Sequence, residues 1–176
     1  MRIILAVVRV MVLVVLGILI TPIGMLQAGD QARHRATLAG IGPVHVLVEE
    51  ISDDLKRSGL SITTLQTDAE LRLRAAGIRV ATEAESFALP GEPHLYVNVT
   101  GLQDKTVSGR QFGYSANVSV SLIQEVRLDR NPSIRIGAPT WSAEEIVTGS
   151  SAEIVRKSLR DLVDRFANAY LSVNPK

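Results

Sequence analysis

Two histidines, His45 and His94, have the clearest potential for chemistry, and they fall in separate segments of alternating polarity. If these segments pair as neighbouring strands, both imidazoles lie on the polar face of one sheet. With Glu49 or Glu125 beside them, they would form a metal site or an acid–base pair. No H-x-H or H-x-x-x-H spacing accompanies them. The pattern therefore favours two solvated strand histidines, and we expect no catalytic, cofactor-binding or metal-ligating residue.

The remaining polar motifs also lack the spacing of an enzyme site. Serine is frequent, but the nucleophile motif G-x-S-x-G does not occur. Adjacent carboxylates occur at Glu144-Glu145 and Asp53-Asp54, yet neighbours along a strand point to opposite faces and make no catalytic dyad. The absence of cysteine excludes thiol nucleophiles, thiolate metal sites and disulfides. We therefore expect a protein that is not an enzyme, with a hydrolase as the less favoured alternative.

The composition of the chain argues against nucleic acid as a partner. The formal net charge of the 176 residues is +1, and aromatic residues make up 4% of them. A near-neutral chain offers no electrostatic footprint for a phosphate backbone, and few aromatic side chains leave little to stack on bases. We expect neither a nucleic-acid partner nor a cofactor.

The first 28 residues have the pattern of a targeting segment. Two arginines are their only charged residues, and Val10–Ile20 is an unbroken apolar run of 11 residues. A proline ends the run, and Ala28 is a small residue at a suitable cleavage point, which is the order of a signal peptide. An uncleaved membrane anchor stays open, because Leu26 fits the cleavage pattern poorly and the apolar stretch has spanning length. Both alternatives predict an exported protein, either periplasmic or anchored to the inner membrane and facing the periplasm.

The rest of the chain has the length of one domain with its own core. Residues 29–42 are interpreted as a linker, residues 43–173 as the domain and residues 174–176 as a tail. If the leader is uncleaved, residues 1–28 are expected to make the only membrane contact.

Alternation of apolar and polar residues predicts a sheet of about five strands. Strands seldom exceed about ten residues, so the longest alternating run should contain a bend or bulge. The predicted strands are Val44–Val48, Ile78–Val80, Leu95–Val99, Phe112–Leu128 and Thr140–Thr148.

Two segments have the 3-and-4 spacing of amphipathic helices. The first is predicted to be capped by Thr64 or Thr67, with a capping box at Thr67 and Glu70, and to stop at Gly77. The second, about 30 Å long, is predicted to start with a capping box at Ser150 and Glu153. Their apolar stripes are Leu65, Ala69, Leu73 and Ala76 in the first helix, and Val155, Leu159, Leu162, Val163, Phe166 and Tyr170 in the second.

This order of elements predicts an α+β fold, a two-layer α/β sandwich. A mixed, mostly antiparallel sheet would carry two helices on one face and Ser, Thr, Asn, His and Tyr on the other. The order, the amphipathic last helix and the join Leu71–Val80 resemble the N-terminal domain of TolB and similar small envelope accessory domains of bacteria. The resemblance covers roughly residues 43–172 and implies a fold and an envelope setting, without site residues.

Three functions remain open after these exclusions. The first is a non-catalytic envelope module that binds another envelope protein or a second copy of itself. It would use the polar sheet face, a sheet edge or the 104–113 hairpin, and Trp141 would anchor either the core or an interface. The second is a periplasmic domain that binds a small molecule or lipid under the helices. The third is the hydrolase.

Overall fold

The computed structural model describes residues 32–105 and 111–175. The predicted leader at residues 1–28 lies outside these ranges, as do residues 106–110 of the 104–113 hairpin. The elements in chain order are α1 (Ala32–Ala36), β1 (His45–Val48), α2 (Asp53–Arg57), α3 (Ile62–Ala75), α4 (Glu83–Ser86), β2 (His94–Lys105), β3 (Gln111–Leu128), β4 (Asn131–Gly149) and α5 (Glu153–Val173).

The strands form one open sheet in the order β1-β2-β3-β4. β1 and β2 are parallel, and the other two pairs are antiparallel, so the predicted mixed sheet is confirmed. The count of about five strands is corrected to four in the described chain. Ile78–Val80 makes only an isolated bridge between Val80 and Val44, because the chain turns into α4 directly after Ala81.

The core lies between one sheet face and the two long helices, α3 and α5. Val97, Val120 and Ala143 form one continuous row across three strands and are buried. Phe166 of α5 packs its ring against Trp141, with centroids 5.2 Å apart in an edge-to-face arrangement. The predicted stripe of α5 is confirmed, since all of its members except the half-buried Tyr170 are buried.

The start of α3 differs from the predicted capping box. The helix begins at Ile62, and the hydroxyl of Ser61 accepts a hydrogen bond from the backbone N–H of Thr64. Thr67 lies inside the helix, where its hydroxyl donates to the carbonyl of Thr63. The predicted stop is confirmed, because Gly77 has a φ of 77°, which favours glycine after a helix.

The capping box predicted at Ser150 and Glu153 is also wrong. The residue before α5 is Ala152, which has no side-chain cap, and the hydroxyl of Ser151 accepts from the N–H of Glu153. The carboxylate of Glu153 is instead bound by the guanidinium groups of Arg156 and Arg160, so it does not return to the backbone.

The packed domain extends beyond the boundaries suggested by the sequence. Residues expected as a linker supply α1 and the fully buried Leu38. From the expected tail, the amide of Asn174 donates to the carbonyl of Leu38 at 2.8 Å and accepts from the N–H of Gly40 at 2.8 Å. These bonds join the first described residues to the end of α5.

Among the described residues, no helix combines the length and the apolar character needed to cross a membrane.

Candidate functional site

The two histidines occupy neighbouring positions in the sheet, and their rings have separate partners. His45 and His94 are register partners in the parallel pair of β1 and β2. Their rings have different partners, since Nδ1 of His45 lies 3.3 Å from the carbonyl of Ala81 and Nδ1 of His94 lies 3.1 Å from that of Glu92. Within the described ranges, no three His, Asp or Glu side chains are grouped to hold a metal ion.

Of the two carboxylates proposed beside the histidines, Glu125 shares a cleft with His94. Glu125 and His94 line the same small cleft, of about 140 Å³, together with Arg135. The carboxylate of Glu125 accepts a hydrogen bond from Arg135 at 3.2 Å. Glu49 is not among the residues of this cleft. Ligand sites usually measure about 300–1,000 Å³, so this cleft is too small for a substrate.

A larger cleft, of about 740 Å³, opens where β2 runs past the end of β1. Its floor is formed by the buried Ile51 and Val99, with Thr100 and Gly101 beside them. Glu50 is the one ionisable side chain among its described lining residues, and it pairs with Lys56. The cleft has the size of a ligand site, and its described lining combines one carboxylate with the hydroxyl groups of Ser52, Thr100 and Ser115.

The sheet face away from the helices is polar, as predicted. We call it the open face, and strand register places its residues in rows across β2, β3 and β4. Hydroxyl and amide side chains dominate these rows, which consist of Tyr96, Ser121 and Ser142; Asn98, Ser119 and Glu144; and Thr100, Asn117 and Ile146.

The third row of the open face contains its two unusual features. Ile146 is 79% exposed, the highest exposure of any large apolar side chain in the described chain. Its register partner is Asn117, whose Oδ1 is buried and has no hydrogen-bond partner within the described structure. An unpaired buried acceptor costs about 1–3 kcal/mol, so a movement of the Asn117 side chain that paired its Oδ1 would be favourable.

Trp141 belongs to the core rather than to an interface. It is 2% exposed and lies on the helix side of the sheet, against Phe166. Its indole N–H has no acceptor among the described residues. The prediction that this side chain anchors either the core or a contact surface is therefore settled in favour of the core.

A charge network joins the two long helices on the outside of the helix layer. Asp68 of α3 accepts two hydrogen bonds from Arg156 of α5, at 2.8 and 2.9 Å. Arg160 lies 3.5 Å from the same carboxylate. Hydrogen bonds from Arg156 lower the pKa of Asp68 and keep it ionised. The hydrogen bonds of Asp68 with Arg156 and Arg160 join the two helices, which indicates a structural clamp between them.

The second surface of interest was missed by the sequence analysis. Residues 123–138, the paired ends of β3 and β4 with their connecting turn, run past the compact core, and we call them the arm. At the root of the arm the strand register shifts between Leu122 and Ile123, with Thr140 as the extra residue. This irregularity is the bulge predicted for the long run, although the extra residue lies on the partner strand. Residues 131–137 are all exposed, including Ile134 and Ile136.

One signal for the arm was present in the sequence. The alternation of β3 continues through Val126 and Leu128, and the residues after the turn repeat it as Ile134 and Ile136. Sequence pattern alone assigns such residues to a core face. The exposure of Ile134 and Ile136 could not be predicted from this pattern, because it depends on where the helix layer ends.

No protein-family model matches the sequence, and no curated protein matches it. Among solved structures, the chain is similar to a PelC variant dodecamer from Paraburkholderia phytofirmans, with 20% identity and a TM-score of 0.44 over 72% of this chain and 89% of that one. A second PelC dodecamer structure from that organism gives 19% identity and a TM-score of 0.42 over 78% and 91%.

A rare lipoprotein B from Shewanella oneidensis is 12% identical, with a TM-score of 0.32 over 73% of this chain and 91% of that one. None of these three is a TolB domain, so the TolB resemblance stays a prediction. Identities and TM-scores this low assign no function to the chain. A functional proposal therefore has to rest on the surfaces of the chain itself.

Proposed function

We propose that the protein is a non-catalytic envelope module that binds another envelope protein, and that the open face around Ile146 is the binding surface. The observation that carries the proposal is the juxtaposition of an isoleucine 79% exposed with the unpartnered Oδ1 of Asn117. A partner that covers Ile146 would bury apolar area, and its polar groups could pair the Oδ1 of Asn117 once that buried side chain moved toward the surface.

The position of this pair at the sheet edge supports the same function. β4 is an edge strand, and within the described chain no other strand pairs with its outer side. An added strand would gain main-chain hydrogen bonds along Trp141–Gly149 and would lie beside the exposed Ile146. The neighbouring serine and threonine side chains keep this face soluble while it is free, which suits a reversible contact.

The apolar leader supports the proposed location. Its basic start and its apolar run are the features of an export signal or an anchor, and either one would bring the domain to the periplasm. The proposed partner is therefore an envelope protein or a second copy of the chain.

Site-specific photocrosslinking tests the proposal directly, because the chain contains no cysteine. Ile146→Cys carries a thiol-reactive photocrosslinker, and Leu71→Cys on α3 is the matched control, since Leu71 is also apolar and 57% exposed. We expect a discrete protein adduct from position 146 in intact cells, and its loss when Ser119→Arg blocks the face. Equal labelling from both positions, or none from position 146, would contradict the proposal.

A second candidate function rests on the 740 Å³ cleft, whose volume suits a small molecule or lipid. Thr100→Trp should fill the cleft from the exposed side without touching the core. Native mass spectrometry would then show a bound molecule on the wild-type chain and none on the variant. Identical spectra of the two proteins would argue against this function.

A further inference from the structure

We infer that the arm rests on the surface of an anionic phospholipid bilayer, with its apolar side turned toward the lipid. The inference is independent of the proposed protein-binding face, which lies on a different part of β4. It also goes beyond the expectation that residues 1–28 make the only membrane contact.

The arm is amphipathic in the described structure. Val126 and Ile136 are register partners, and Leu128 and Ile134 lie two residues further along their strands, on the same side. Ile136 is 54% exposed and Ile134 is 44% exposed. This side continues the one that α5 covers at Leu122, and within the described chain Thr37 contacts it only at the root of the arm, through Gln124. Two exposed isoleucines therefore lie beside the half-buried Val126 and Leu128 at the end of a hairpin.

The opposite side of the arm is charged. Glu125 and Arg135 form an ion pair there, with Arg127 opposite Arg135 in the register. The whole arm contains three arginines and two carboxylates, and α1 adds Arg33 and Arg35 with no acidic residue. An apolar side combined with an excess of cations is the pattern of a segment that lies at the surface of an anionic membrane.

If residues 1–28 stay in the membrane as an anchor, their connection to the domain would hold the arm near the bilayer. The carbonyl of Thr37 accepts from the amide of Gln124 at 3.2 Å, and the hydroxyl of Thr37 donates to the carbonyl of Thr140 at 3.3 Å. Gln124 also donates to the hydroxyl of Thr140 at 2.7 Å. The chain therefore enters the domain at the root of the arm. Only a few residues separate α1 from the apolar segment that ends at Ala28.

Two other occupants fit the arm less well than lipid does. Strand addition is disfavoured because Pro132 and Pro139 lack the N–H that a ladder needs, and because a bulge interrupts the strand at Thr140. A second copy of the chain is disfavoured by area, since four aliphatic side chains fall well short of the roughly 800 Å² per partner that a stable interface buries.

The test uses the full chain in lipid nanodiscs, with single cysteines that carry an environment-sensitive fluorophore. Ile136→Cys reports on the arm, and Ile146→Cys is the matched control, because it replaces a more exposed isoleucine of the same strand. The discs contain phosphatidylglycerol and phosphatidylethanolamine with nitroxide-labelled lipid as quencher. We expect the label at position 136 to shift to the blue and to be quenched about twofold or more relative to position 146.

Three results would overturn the inference. Equal quenching at the two positions would show that the arm is no closer to lipid than the open face. A label at position 136 that is quenched as strongly in phosphatidylcholine discs as in the anionic discs would contradict a role for anionic headgroups. Quenching that does not decrease in the double variant Arg127→Glu/Arg130→Glu would contradict that role as well. A label at position 136 that is shielded without lipid quenching, together with disulfide-linked dimers of Ile136→Cys, would assign the surface to a second copy. Unchanged melting temperatures of the labelled variants would establish that each is folded.

Discussion

The same two strands, β3 and β4, build the best-packed part of the molecule and its most exposed part. Leu122 and Trp141 are register partners and lie under α5, where they are 0% and 2% exposed. Val126 and Ile136 are the corresponding pair in the arm, and Ile136 is 54% exposed. Both pairs have the same apolar chemistry on the same side of the sheet. The comparison teaches that the end of the helix layer, rather than the strand pattern, separates core from contact surface.

The largest expected effect is the difference in the free energy of unfolding between a charge placed under α5 and a charge placed on the arm. Leu159→Asp should unfold the domain, because it puts an unpaired charge between α5 and the sheet. Phe166→Ala should lower the free energy of unfolding by about 3–5 kcal/mol. Ile136→Asp should leave it within about 0.5 kcal/mol of the wild type, because the side chain already faces solvent. Urea denaturation followed by circular dichroism measures all three.

Either of two outcomes would remove the distinction between the regions. One is a melting temperature near the wild-type value for Leu159→Asp, which would mean that α5 is not packed on the sheet. The other is extensive unfolding of Ile136→Asp, which would mean that the arm is part of the core.

A second prediction concerns close packing within the covered sheet. A Cβ added at Gly101 would lie 2.8 Å from both the Cβ of Ala116 and the carbonyl oxygen of Ser115. Gly101→Ala should therefore lower the free energy of unfolding by about 1–3 kcal/mol. Gly42→Ala is the control, because nothing lies within 4 Å of its added Cβ. Equal melting temperatures of the two variants would show that β2 and β3 move apart enough to accommodate the added methyl group.

The third prediction tests the clamp between α3 and α5. Asp68→Asn should lower the free energy of unfolding at pH 7 by about 1–2 kcal/mol, because two charge-assisted hydrogen bonds from Arg156 weaken. The partly exposed guanidinium group keeps this figure below that of a fully buried pair.

The pKa of Asp68 fixes how this effect depends on pH. Arg156 lowers the pKa in the folded state, so the carboxylate contributes stability above its unfolded pKa of about 3.9. That contribution is lost as the pH falls through the lower folded pKa. The difference between wild type and Asp68→Asn should therefore be constant near neutral pH and should shrink in acid. Urea titrations between pH 7 and pH 3 would reveal a constant difference if the clamp were absent.

The smallest effect is expected for the ion pair on the arm. The side chains of Glu125 and Arg135 are 34% and 54% exposed, so water and salt screen their attraction. Glu125→Gln should change the free energy of unfolding by less than about 0.5 kcal/mol. A larger loss, measured in the same denaturation experiment, would mean that the arm contributes to global stability and would weaken the contrast between the two regions.

The elements that follow from local periodicity were predicted well, and those that depend on neighbours were not. The stripe of α5 and the stop at Gly77 follow from residue spacing, whereas the pairing of His45 with His94 was predicted only on the condition that their strands are neighbours. The start of α3 was misplaced because several Ser and Thr residues compete for the cap and local sequence does not choose among them. The candidate surfaces could not be predicted for the same reason, because local sequence does not show which residues a neighbouring element covers. Ile146 is exposed and the adjacent Val147 is buried, although their side chains are similar.

The order of amino acids along the chain sets the alternation of polar and apolar residues, and hence which residues share a side of a helix or strand. That pattern depends only on the periods of about 3.6 and 2 residues. The tertiary structure decided which of those sides is covered. Whether a side chain is buried depends on which distant segments pack against it. Leu38 therefore belongs to the core although its segment was expected to be a linker, and Ile136 lies outside the core. Local periodicity gives the faces of an element, whereas only the arrangement of all elements gives each face its neighbour.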